Sequence, residues 1–178
     1  MNNKYKNIYL VSPDDVKAAS NINYNVDDND VSSAIRTSQD IYLRDIIGDK
    51  LLEALQEMVS AGTIDNPENS AYLTLLDDYV SEYLTFKACV EICVPISLKI
   101  RNIGISQDYD QNIVASQLQN IAELADYYET QAVDRINRMI DFLVANRNAF
   151  PELNIQCSCG QHSPCLKKRA NTHLYLGL

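Results

Sequence analysis

From Leu118 onward, apolar residues recur in steps of three and four: Leu118, Ile121, Leu124, Tyr128, Ala132, Ile136, Ile140 and Leu143, with Ile113 just before them. That spacing gathers them on one stripe of an α-helix. The opposite face carries Gln119, Glu123, Asp126, Glu129, Asp134, Arg138 and Asp141, all compatible with water. No proline or glycine interrupts the run from Gln111 to Asn148, Ser106 and Asp108 upstream are candidate caps, and Pro151 forces an end. At about 1.5 Å per residue the helix would be roughly 55 Å long, longer than a small domain is wide. Its stripe therefore has to be covered by the other helices, or by other copies of the chain.

The preceding sequence supplies those helices. Ser12-Pro13-Asp14-Asp15 reads as a cap, a first-turn proline and acids at the positive end of a dipole, starting a short helix to about Ala19. Asn21 to Asn25 reads as a polar loop. Asp27 or Asp28 opens a second helix with Val31, Ala34, Ile35, Ser38, Ile41, Tyr42 and Ile46 on one face, interrupted at Gly48. Leu51, Leu52, Leu55 and Val59 continue it to Gly62, a C-cap. After the Asn66-Pro67 loop, Asn69 or Ser70 caps a helix with Leu73, Leu76, Val80, Tyr83, Leu84 and Ile92 inward. Cys89 and Cys93 lie on it four apart; without a histidine nearby they read as core packing, not half a metal site. Beyond Pro95, Ile96, Leu98 and Ile100 alternate with Ser97, Lys99 and Arg101. Period two suggests a short β-hairpin over 96–105, the alternative being that the helix runs on to Asn102. The fold class is thus mainly α: a bundle of about four helices with a long C-terminal one.

Composition narrows the function. Net charge is −9 over 178 residues, which argues against sequence-independent wrapping of nucleic acid. The run Ala88 to Ile100 is broken by Glu91, Pro95 and Lys99, so no membrane span is expected, and Met1 to Leu10 lacks the apolar core of a signal peptide. Five cysteines, two of them mid-helix, suit a reducing compartment. No nucleophile elbow, phosphate loop or dinucleotide fingerprint is present, and both histidines lie beyond Pro151, so no enzyme is expected. Asp77 and Asp78 point about 100° apart on their helix and read as a solvated face. The eleven tyrosines are too dispersed to make a stacking platform; Tyr42, Tyr72, Tyr79, Tyr83 and Tyr127 read as subunit-contact or core-edge residues.

The chain divides into a helical part, 1–150, and a tail, 151–178, whose basic character contrasts with the acidic body. Cys157, Cys159, His162 and Cys165 have the ligand types and number of a structural zinc site, with a tighter first spacing than most fingers; the alternative is that they are incidental. No other cofactor is implied. Lys167, Lys168 and Arg169 suit an acidic partner surface. Thr172, His173, Leu174, Tyr175 and Leu176 could add a strand to a neighbour's sheet edge.

The unit from Asp27 to Leu55, together with the acidic start Ser12 to Lys17 and the Ile46-Ile47-Gly48 step, resembles the head–tail connector (adaptor) family of tailed bacteriophages. The resemblance covers roughly residues 12 to 149 and rests on patterns of helix breaks. It implies a virion structural protein at the head–tail interface, present in the host cytoplasm during assembly. It further implies a homo-oligomeric ring, often of twelve copies, bound to the portal protein above and to a downstream tail or second connector protein below. DNA would pass through the lumen without sequence-specific binding. The alternative function is a non-viral helical protein-interaction module with a zinc-stapled tail.

Overall fold

The computed structural model describes residues 8–19, 26–106, 111–154 and 163–170. Six α-helices are present among them: α1 Pro13–Ala19, α2 Asp28–Thr37, α3 Arg44–Ala61, α4 Ser70–Leu75, α5 Ser81–Ser106 and α6 Gln111–Ala145. Two widened π-type segments, Ser38–Leu43 and Leu76–Val80, join α2 to α3 and α4 to α5. Short 3-10 turns at Arg147–Ala149 and Pro151–Asn154 follow α6.

Each start and stop has a local cause. At α1 the Ser12 hydroxyl accepts from the Asp15 backbone N–H (3.1 Å) and donates to the Asp15 carboxylate (2.7 Å), a reciprocal cap. At α2 the Asp27 carboxylate accepts from the Asn29 N–H (2.9 Å). Gly62 ends α3 in the left-handed region (φ 65°), where its lack of a Cβ removes the steric cost. Inside α3, Gly48 has φ 78° and ψ 166°, so the expected interruption is a real break in the helical backbone.

The expected β-hairpin over 96–105 is not formed: α5 runs through Pro95 to Ser106, and no strand occurs among the described residues. Pro95 lacks the N–H that would bond the Glu91 carbonyl, yet the ladder resumes beyond it. The alternation misled because the same residues also satisfy a helical repeat. Ile92, Ile96, Ile100 and Ile103 step by four, four and three.

The core is built where α5 and α6 pack along each other and α2 packs on α5, with α3 set against the Ser38–Leu43 segment and the Pro151–Asn154 turn. From α6 come Tyr128, Ala132, Ile136, Met139, Ile140 and Leu143; from α5, Leu84, Ala88, Cys89 and Ile92. Val31, Ile35, Ile46, Ile47, Leu51, Leu52 and Leu55 complete it, each buried side chain contributing about 1.5–3 kcal/mol. Cys89 and Cys93 are both buried, as core packing requires, and the Cys93 thiol donates to the Cys89 carbonyl. Phe150 is fully buried. It meets Tyr72 edge-on (5.2 Å) and Phe142 (6.0 Å), while Phe142 stacks on Tyr79 (4.5 Å). Buried Gln39 holds residues 8–10: its amide accepts from the Leu10 N–H (3.1 Å) and donates to the Ile8 carbonyl (2.9 Å).

The α6 stripe is covered only in part. Buried positions begin at Tyr128; Leu118 and Ile121 are half-buried, Leu124 is 38% exposed and Tyr127 52%. No helix among the described residues is long and apolar enough to cross a membrane.

Candidate partner-binding surface

The tail residues singled out for partner binding fall into two groups. Lys167, Lys168 and Arg169 are described; Thr172, His173, Leu174, Tyr175 and Leu176 lie outside the described residues. Of the candidate zinc ligands, Cys165 is described and exposed, whereas Cys157, Cys159 and His162 lie outside. Among the described residues no three His, Cys, Asp or Glu side chains converge on a possible metal position.

Residues 163–170 cross the body as an extended strap. Its seat is the break in α3. An α-helix uses each carbonyl for the N–H four residues on; the backbone of Gly48 departs from that geometry, and the Ile46 carbonyl accepts instead from the Cys165 N–H (2.9 Å). Pro164 lies against Gly48, and Leu166 packs against the core. Farther along, the Asn137 side chain on α6 makes two bonds to one backbone residue. Its carbonyl accepts from the Arg169 N–H (2.8 Å) and its amide donates to the Arg169 carbonyl (2.9 Å). Lys168 reaches Asp141 and Arg169 reaches Asp45, both at 2.8 Å. Lys167 is exposed and its side chain enters no ion pair among the described residues.

Two of the three basic tail residues are therefore matched by acids of the same chain. Asp45 and Asp141 carry no sequence signal for this role; a run of exposed helical acids looks alike whether it meets water or a strap. The Gly48 break was visible in sequence, but not that it receives Pro164, 116 residues downstream.

Beneath the strap lies a polar cluster in an otherwise apolar interior. Lys87 of α5 is 7% exposed; its ammonium sits 4.1 Å above the Tyr42 ring and 2.6 Å from the Glu129 carboxylate. Burying an ammonium is costly unless it is matched in this way. Tyr42, Tyr83, Lys87, Glu129 and Arg169 line a small cavity of about 80 Å³. Burial raises the Tyr42 phenol, aided by its hydrogen bond to Glu91. Burial also raises Tyr83, with Arg169 acting in the opposite sense. Tyr72 is raised by burial and by its bond to Glu152, whose carboxylate accepts from the phenol at 2.9 Å. The cluster contains a matched ion pair and phenols kept protonated, with no nucleophile beside a free base. Asp77 and Asp78 are exposed side by side on their π-type segment.

A family model described as a family of unknown function (DUF6712) matches residues 43–163. No curated protein matches the chain, and no solved structure does.

Proposed function

The chain belongs to the DUF6712 family of unknown function, and we propose that it is a structural virion protein that forms a ring at a phage head–tail interface. The observation that carries this reading is the α6 stripe outrunning its own body: Leu118, Ile121 and Leu124 continue the apolar face, yet they are half-buried or exposed, and full burial begins only at Tyr128. Such a face suits a chain whose remaining cover comes from other copies. Two features behind the connector resemblance are formed structural devices, the capped acidic start at Ser12 and the break at Ile46-Ile47-Gly48. The ring docks on the portal protein, meets a downstream tail or second connector protein, and passes DNA through its lumen. Acidic residues facing that lumen keep the duplex from adhering, in keeping with the net charge of −9. The protein has no catalysis of its own; its chemistry is packing and charge placement. It works in the virion and is made in the host cytoplasm.

Co-sedimentation with isolated portal rings tests the reading. Saturable binding of the chain to those rings is expected, and a chain that never sediments with them contradicts it.

A further inference from the structure

The seat of the strap recognises an extended segment through two kinds of contact. Main-chain bonds fix its position: the Ile46 carbonyl accepts from the Cys165 N–H (2.9 Å), and the Asn137 side chain brackets the N–H and carbonyl of Arg169 (2.8 and 2.9 Å). Side chains add selectivity. Pro164 takes the space left by the missing Cβ of Gly48, Leu166 packs against the core, and Asp141 and Asp45 receive Lys168 and Arg169. Peptide-recognition sites combine the same two parts, backbone bonds for affinity and side-chain pockets for choice.

None of these contacts requires strap and seat to belong to one chain. The helices α3 and α6 scarcely meet directly, so the segment bridges them from outside. The four charged partners are 42–62% exposed, which presents both surfaces to solvent. The Pro151–Asn154 turn rests on α3, and eight residues separate Asn154 from Ser163. At about 3.3 Å per residue that connection reaches up to roughly 30 Å, about the width of a small domain. It is long enough to deliver the strap to an adjoining copy.

We propose that the seat takes the strap of a second copy, so that adjoining copies exchange residues 163–170. The proposal rests on the ring reading and names a tie between its subunits. Exchange reproduces every contact the strap makes in its own chain, which makes it a low-cost route to association. In an isolated chain the tether keeps the strap on its own seat. Where copies are held side by side, the neighbour's seat is present at a comparable effective concentration and the two arrangements compete. Strap and seat are different surfaces, so the tie is head-to-tail and passes from copy to copy around a ring.

Charge reversal in complementary full-length forms tests this. One form carries Lys168→Glu with Arg169→Glu, another Asp45→Lys with Asp141→Lys, and a third carries all four substitutions. In either of the first two, strap and seat repel wherever they meet. Mixed in equal amounts, the strap of each matches the seat of the other, so only contacts between chains are restored. The third form restores the match within one chain, and thermal melting of all three establishes that each is folded. In sedimentation velocity the mixture should associate at least about tenfold more tightly than either form alone. If it sediments as the sum of its parts, the strap serves only its own chain and the exchange is wrong, while a ring through another surface stands. If the mixture associates but the wild-type chain never binds portal rings, the exchange holds and the ring reading falls.

Discussion

Pro164 occupies the space a side chain on Gly48 would need: a Cβ there would lie 2.9 Å from the proline Cδ. The same glycine holds φ 78° and ψ 166°, a region essentially closed to residues with a Cβ. Backbone conformation and close approach therefore both require glycine. Gly48→Ala should cost about 1–3 kcal/mol from backbone strain alone. For a chain of this size that lowers Tm by several degrees, at about 2–4 °C per kcal/mol. Unchanged melting by circular dichroism would mean that the break and the strap adapt freely.

The ion pairs of the strap should matter less than its backbone contacts. Lys168–Asp141 and Arg169–Asp45 join side chains that are 42–62% exposed, and such pairs are worth about 0–1 kcal/mol. Lys168→Ala and Arg169→Ala should each shift Tm by no more than about 3 °C. Ending the chain at Phe150 removes more: the bond to Ile46, the cover on Gly48, and buried Leu153. The truncated chain should keep its helical circular dichroism and melt cooperatively, but well below wild type. A truncated chain as stable as the whole would show that the strap is not part of the fold.

In α6, Ile136 is 1% exposed and belongs to the hydrophobic core. Ile136→Asp would bury a charge without a counter-ion and should cost more than about 3 kcal/mol. Chemical denaturation of the variant measures this directly; a loss below 1 kcal/mol would place the residue at the surface.

Alkaline pH should destabilise the fold through its tyrosines. Tyr72 and Tyr83 are raised above the ordinary value of 10.0 chiefly by burial. A phenol with a raised folded-state pKa stabilises the fold fully below its unfolded pKa, and that stability is lost as pH climbs above about 10. Urea unfolding at pH 8, 10 and 11 should show stability level to pH 10 and falling beyond it. In a spectrophotometric titration these two phenols should ionise only with unfolding. Full ionisation of all eleven tyrosines near pH 10 in folded protein would contradict this.

The helices were legible in the sequence because local signals set them. Ser12, Asp27, Gly48 and Gly62 each mark an end that depends on a neighbour within a few residues. The inward faces followed from spacing at Tyr128, Ala132, Ile136 and Ile140, but not at Ile41, which lies in the π-type segment Ser38–Leu43, off the regular 3.6-residue repeat, and is 60% exposed. The segment after Pro95 was misread because Ile96 and Ile100 fit two periods at once, and the helix on either side decides between them. The strap was not legible at all. The pairing of Arg169 with Asp45 and Asn137 joins residues far apart in sequence, none of them unusual in composition. The tail looked free because its charges were counted without the acids that meet them.

Mass photometry of the chain, alone and with isolated portal rings, tests the central claim most directly. Subunits of 20.1 kDa should assemble into one closed species of fixed copy number, about twelve by the connector resemblance, alone or on the portal. A chain that stays monomeric in both settings, at every concentration tried, would contradict the account.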